Sequence, residues 1–294
     1  MSFQKKEEMD TCNLCLARPV TLTDDHVPPY AVQKWKNLHI FQRFPETVLY
    51  LREQPPGLLM HSPRGVAFKT LCANCNNSVL GQSYDSALAE LWNQVEPYAQ
   101  LHNREHGLSL ATIKTFPCRL GAVLRSILGH GLASNLITPD WPSANRIRSY
   151  ILEPNDLLPS DVYIYYWFYR GTSLKIMNGF SFAFTQNLSQ SAFIHVCLKF
   201  WPLAFWISSE RFSALEQTPG IFLIRSSEDT KAYAESEFAL DLQTQIHPDW
   251  PEGGKTKELE GIILLDTVKG VNILATTAVK AKSLARKIKQ SRVN

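Results

Sequence analysis

Three features that would settle a protein's class at a glance are scarce or missing in this chain. No apolar run is long enough to cross a membrane. The most apolar stretch, residues 193–207, is interrupted by His195, Lys199 and Pro202, whereas a spanning helix needs roughly 20 apolar residues. Charge of one sign is also scarce, because 30 Lys and Arg stand against 27 Asp and Glu for a net +3. That balance permits nucleic-acid contact without arguing for it. Internal repeats and low-complexity tracts are absent, which excludes a solenoid and a compositionally biased linker. Cysteine is used sparingly. Four of the six cysteines are paired as Cys12/Cys15 and Cys72/Cys75, while Cys118 and Cys197 stand alone. This suits metal binding in a reducing compartment better than a disulfide framework. Residues 1–10 are polar and charged, unlike a signal peptide. A soluble cytoplasmic protein with no membrane partner is therefore expected, and 294 residues at 45% hydrophobic content give it a sizeable core.

What is present is concentrated between residues 12 and 85. Two C-x-x-C pairs, Cys12-Asn13-Leu14-Cys15 and Cys72-Ala73-Asn74-Cys75, supply four thiolates, the number that closes a tetrahedral zinc site and leaves no open position for chemistry. Zinc is thus expected to be structural, with reacting groups beside it. Asp25-His26 follows a short strand expected near residues 20–23. The imidazole can take a proton from water near neutral pH. The carboxylate suits a hard, oxygen-preferring cation such as Mg²⁺. Asn76 follows the second pair directly, where its amide can ligate, orient or simply cap a helix. Asp85 lies nine residues further on, in a segment, residues 78–95, with apolar residues at helical spacing that Pro97 is expected to end. No protein nucleophile is evident.

Taken together, Cys-x-x-Cys, Asp25-His26-Val27-Pro28-Pro29, Cys-x-x-Cys-Asn76-Asn77 and Leu80-Gly81-x-x-x-Asp85 resemble the zinc-stapled branch of the HNH, or ββα-metal, endonucleases over about residues 12–95. The pairs Asp25-His26 and Cys75-Asn76 are similar to those of the endonuclease VII type of junction resolvase. The resemblance implies that His26 is the general base and that Asp25 and Asn76 hold a catalytic Mg²⁺ or Mn²⁺. By the same analogy Asp85 occupies the third H-N-H position, where it departs from the usual His or Asn. HNH chains with unrelated C-terminal domains often resemble restriction or anti-phage defence nucleases. Between His26 and Cys72, six basic residues face two acidic ones. Lys34, Lys36, Arg43, Arg64 and Lys69 are therefore candidate contacts to nucleic acid, with double-stranded DNA the expected partner.

The fold class expected is α+β: an N-terminal ββα-metal domain with structural zinc over residues 1–105, then an antiparallel-sheet α+β domain over 106–294. In the second part a helix is expected at 116–128, with Pro117 near its start and Gly129 at its end. Strands are expected at 162–169, 173–177, 181–184, 192–200, 203–207 and 221–224, with a turn at Asn178-Gly179. Recognition, regulation and homodimerisation are the roles considered for this part. After Asp266 come seven bases and no acid, which fits a basic helix. The other histidines (His39, His61, His102, His106, His130, His195 and His247) belong to no motif and are read as structural. A non-catalytic zinc-stapled nucleic-acid-binding module is the competing reading; it leaves the coincidence of Asp25, His26, Asn76 and Asp85 unexplained.

Overall fold

The computed structural model describes residues 11–32, 38–43, 57–62, 66–104, 113–139, 141–171, 174–184, 190–248, 250 and 262–265. Its elements are mixed helices and mainly antiparallel sheets, in keeping with the expected α+β class. The first is a two-stranded hairpin in which β1 (Leu22–His26) pairs antiparallel with β4 (Ala67–Cys72), His26 opposite Ala67 and Leu22 opposite Cys72. A π-helix (Asn74–Gln82) follows, and then α1 (Asp85–Arg104). Pro97 lies inside α1 rather than ending it. Burial outweighs the lost hydrogen bond there, because Val95 and Ala99 on either side of Pro97 are both fully buried.

The segment between the two cysteine pairs is not merely a loop. It contributes β2 (Leu38–Arg43) and β3 (Gly57–Ser62), which form one edge of an eight-stranded sheet. The remaining strands are β6 (Tyr163–Phe168), β7 (Leu174–Phe184), β8 (Gln190–Phe200), β9 (Leu203–Ser208), β10 (Ile221–Ile224) and β12 (Ile262–Leu265). Their spatial order is β10-β6-β9-β8-β7-β12-β2-β3, with β12 parallel to both neighbours. Asn178-Gly179 makes no turn: the two short strands expected there are one, β7, paired with β8 throughout.

Residues 113–118 form β5 (Ile113–Cys118), paired with β11 (Ser236–Asp241), so Pro117 belongs to a strand and not to a helix start. The helix begins three residues later as α2 (Leu120–Ala133) and runs through Gly129. Every residue of α2 is buried, so it is a core helix enclosed on all sides and not one with a single apolar face. Its Arg125 shows how such a helix tolerates a cation. The guanidinium donates to the carbonyls of Tyr150, Gly121, Thr230, Glu153, Pro154 and Asp156 at 2.8–3.2 Å and lies 3.8 Å from the Tyr150 ring centre. It thereby ties α2 to the end of α3 (Ala144–Leu152) and to the turn at 228–230.

One apolar cluster extends from Cys12 through α1 and α2 to Leu242. The core is therefore continuous across residue 105. Alternation along β6 sends Ile164, Tyr166 and Phe168 into this cluster, while Tyr165, Trp167 and Tyr169 enter a second one on the opposite face of the sheet. Trp92 of α1 adds a polar link to the sheet by donating its indole N–H to the Trp201 carbonyl at 3.0 Å.

The seat of α2 is tight at Gly121, where a Cβ would lie 2.1 Å from the Lys231 carbonyl oxygen and 2.4 Å from that of Thr230. Backbone cannot yield as a side-chain tip can. Gly121→Ala is therefore expected to destabilise by about 1–3 kcal/mol despite alanine's better helix propensity, as read from urea unfolding midpoints.

Candidate metal centre and the acid–imidazole cluster

The sequence pairs its cysteines two residues apart, and the hairpin brings the pairs together. Cys72 ends β4, Cys75 lies in the first turn of the π-helix, and the sulfurs of Cys12, Cys15, Cys72 and Cys75 lie within 4.8 Å of one another. The Cys15 and Cys72 sulfurs are 3.9 Å apart, close to the roughly 3.8 Å edge of a tetrahedron with 2.3 Å zinc–sulfur bonds. The first pair turns on itself through Leu16 N–H donating to Cys12 O at 2.9 Å. This places Leu16 at φ 60°, in the left-handed region. The hydrogen bond from Cys75 pushes the Cys12 thiol down to about 4. That same contact, then burial, pushes Cys75 far up, and burial raises Cys15. Four sulfurs so close cannot all ionise without a cation between them, and the donor set fits a metal that favours thiolates.

The first pair is docked on the C-terminal end of α2. Asn13 donates from Nδ2 to the Leu132 carbonyl at 3.1 Å and to Asn135 Oδ1 at 2.6 Å, while its own carbonyl accepts from Arg148 Nε at 2.7 Å. A bulge in the hairpin serves the same end. The register jumps from Thr23↔Leu71 to Asp24↔Lys69, which frees Thr70 to donate from Oγ1 to Ala133 O at 2.6 Å and to accept from Asn13 N–H at 2.9 Å.

Strand alternation then decides where the acids go. Asp25 is the only fully buried residue of β1, whereas Asp24 and His26, on the other face, are half-buried. A buried carboxylate needs partners, and Asp25 Oδ2 finds one in His130 Nδ1 at 3.0 Å. The opposite ring nitrogen, Nε2, meets Asp85 Oδ1 at 3.1 Å, and that oxygen also accepts from Ser126 Oγ at 2.7 Å. His130 is wholly buried, with Asp25 at 3% and Asp85 at 8% exposure. Burial acts to lower the His130 pKa, but the charges of Asp25 and Asp85 and their hydrogen bonds outweigh it and push it up to about 10. Burial raises Asp25, against the pull of His130.

The structure thus brings Asp25 and Asp85 onto one imidazole, on opposite edges of its ring. His26 lies apart from that ring, with its own ring edge-on to Tyr30 at 5.8 Å. Asn76 is tied to β1: its Nδ2 donates to Thr23 Oγ1 at 3.0 Å and to the Asp24 carbonyl at 2.9 Å. Lys69 is exposed on β4, opposite Asp24. Lys34, Lys36, Arg64 and the basic segment 267–294 lie outside the described residues, as does the side chain of Arg43 in β2. Sequence reading passed over His130, although a signal was there. Ser126 and His130, one turn apart in a helix that apart from Arg125 is otherwise apolar or glycine, are polar residues that burial obliges to find partners.

Compared with known proteins, the chain matches no family model, no curated protein and no solved structure. Among the described residues, no helix is long and apolar enough to cross a membrane.

Two expectations follow. Purified protein should carry one zinc per chain by elemental analysis, and Cys72→Ser should lower both the zinc content and the unfolding temperature. The raised His130 pKa adds stability that is complete below about 6.5, its unfolded value, and is lost as pH rises through about 10. The difference in urea midpoint between the parent and His130→Gln should therefore narrow from pH 6.5 to pH 10.

Proposed function

We propose that the protein is a metal-dependent endonuclease of the HNH type that hydrolyses phosphodiester bonds in DNA. The single observation that carries this reading is the hairpin-to-helix junction. Asp25 and His26 stand at the end of β1, and Asn76, fixed beside Cys75, is hydrogen-bonded to the same strand at Thr23 and Asp24. In this reading the four cysteines hold a structural zinc that locks the strand end to the start of the π-helix. His26, half-buried and at the strand terminus, accepts the proton of the attacking water.

Asp25 and Asn76 would hold a divalent cation such as Mg²⁺ or Mn²⁺. The chemistry of the donors fits, because Asp25 commits Oδ2 to His130 and Asn76 commits its amide nitrogen to β1, so each still has an oxygen to offer a hard ion. Such an ion supplies charge stabilisation at the scissile phosphate and the leaving oxygen. Asp85 turns to His130 and Ser126 instead, so its role here is to hold the imidazole. Lys69, exposed on the hairpin, suits a phosphate contact. The large sheet would then recognise the target or a second copy of the chain.

One observation favours the competing reading, a zinc-stapled nucleic-acid-binding module without catalysis: Asp25 is nearly inaccessible and already paired. The test separates the two. Mixed DNA and RNA substrates are incubated with the parent and with His26→Ala, in Mg²⁺, Mn²⁺ or EDTA, after both proteins have been matched for zinc content and circular dichroism. Cleavage by the parent that depends on the divalent ion and falls about 10²–10⁴-fold in the variant is expected. Equal cleavage by the two would remove His26 as the base. Binding without cleavage under every condition would leave the non-catalytic module.

A further inference from the structure

We propose that His130 is a positioning residue of the hydrolytic site, presenting Asp25 to the divalent cation through one carboxylate oxygen. This inference rests on the nuclease reading, and it extends the site to α2, a helix beyond the 12–95 segment that carries the motifs.

The geometry runs in one direction. Ser126 Oγ donates to Asp85 Oδ1, that oxygen meets His130 Nε2, and His130 Nδ1 meets Asp25 Oδ2. Each contact is buried, and each fixes the next: Asp85 stops the imidazole from rotating, and the imidazole stops the Asp25 carboxylate from rotating. With Oδ2 held by a ring N–H, Oδ1 is the oxygen that turns to the cation. An imidazole behind a ligating carboxylate orients it and tunes its basicity, and removing such outer partners commonly weakens metal affinity. Asp85 cannot share that cation, because the ring stands between the two carboxylates.

The helix carrying His130 is itself anchored. A Cβ at Gly129 would lie 2.4 Å from Leu80 Cδ2, so the Leu80 side chain of the π-helix packs directly onto the α2 backbone at this point. One turn further along α2, the carbonyls of Leu132 and Ala133 receive Asn13 and Thr70. The first cysteine pair and the Asp25 carboxylate are therefore both positioned from the same stretch of α2, residues 129–133. Metal staple and metal ligand share one reference frame.

Two conservative substitutions separate the ring's two contacts. Asn places its amide near where Nδ1 stood and can still donate to Asp25, whereas Gln reaches the Nε2 position and serves Asp85 alone. Zinc-loaded, full-length parent, His130→Asn and His130→Gln are titrated with Mn²⁺, and binding is followed by loss of the free-ion electron paramagnetic resonance signal. Zinc content and circular dichroism serve as controls. The parent is expected to bind Mn²⁺ in addition to its zinc, His130→Gln to bind about 10–100-fold more weakly, and His130→Asn to recover most of that loss.

Equal weakening in both variants, Gln binding within about twofold of the parent, or no Mn²⁺ bound by the parent would each overturn the proposal. Mn²⁺ binding in the expected order without nucleic-acid cleavage by the parent would instead sink the nuclease reading and leave the positioning role standing. If His130→Gln does not fold, the parent alone decides. Titration with Mg²⁺ is expected to shift the Nδ1 proton resonance of the buried His130, and an unmoved resonance would overturn the proposal.

Discussion

An imidazole held between two carboxylates, all three groups buried from solvent, is the interaction from which the N-terminal half takes its arrangement. Asp25 comes from a strand, Asp85 from the start of a helix and His130 from the end of another. None of the three can move without leaving a buried charge unmatched, which typically costs several kcal/mol. The hairpin, α1 and α2 are therefore set relative to one another by polar contacts of fixed geometry. The apolar packing around them supplies cohesion, but it would tolerate small slips that the ring does not.

The cysteine cluster adds a second fixed point a few residues away. It joins the end of β4, the Cys12/Cys15 pair and the start of the π-helix, and its docking on α2 through Asn13 and Thr70 uses carbonyls that the helix terminus leaves without intrahelical donors. The bulge that frees Thr70 is thus a functional irregularity of the hairpin: it converts one ladder position into an anchor. Arg125 does comparable work at the other end of α2, spreading its charge over backbone carbonyls where a carboxylate partner would have to be buried as well.

How legible this was in the sequence depended on how local the cause was. The C-x-x-C spacing, the strand at 221–224, and β6 and β9 to within a residue or two at their ends could be read because their signals lie in a few adjacent residues. Reading failed where a distant partner overruled local propensity. Pro97 stays inside α1 because its neighbours are buried against the core, and Asn178-Gly179 stays extended because β8 pairs across it. Phe116-Pro117 reads as a helix start until β11, more than a hundred residues on, claims it as a strand. The cluster was half legible. Asp25 and Asp85 stood out through their motif, but His130 is joined to them by contacts spanning 105 and 45 residues, and no spacing rule reports such a link. What the sequence did offer was polar residues in an apolar helix, a cue that something must pair with them.

The route of the chain through the large sheet has a consequence for assembly. β2 and β3 are made early, but they join β7 only through β12, at residues 262–265. During synthesis these two strands wait with an unpaired edge for more than two hundred residues while the hairpin and its cysteines already have their partners close at hand. Pairing at such separation is slow, and exposed edges invite association with other chains in the interval. A cation captured early by the four thiolates would shelter the hairpin during that wait, leaving sheet closure as the late and concentration-sensitive step in the protein's maturation.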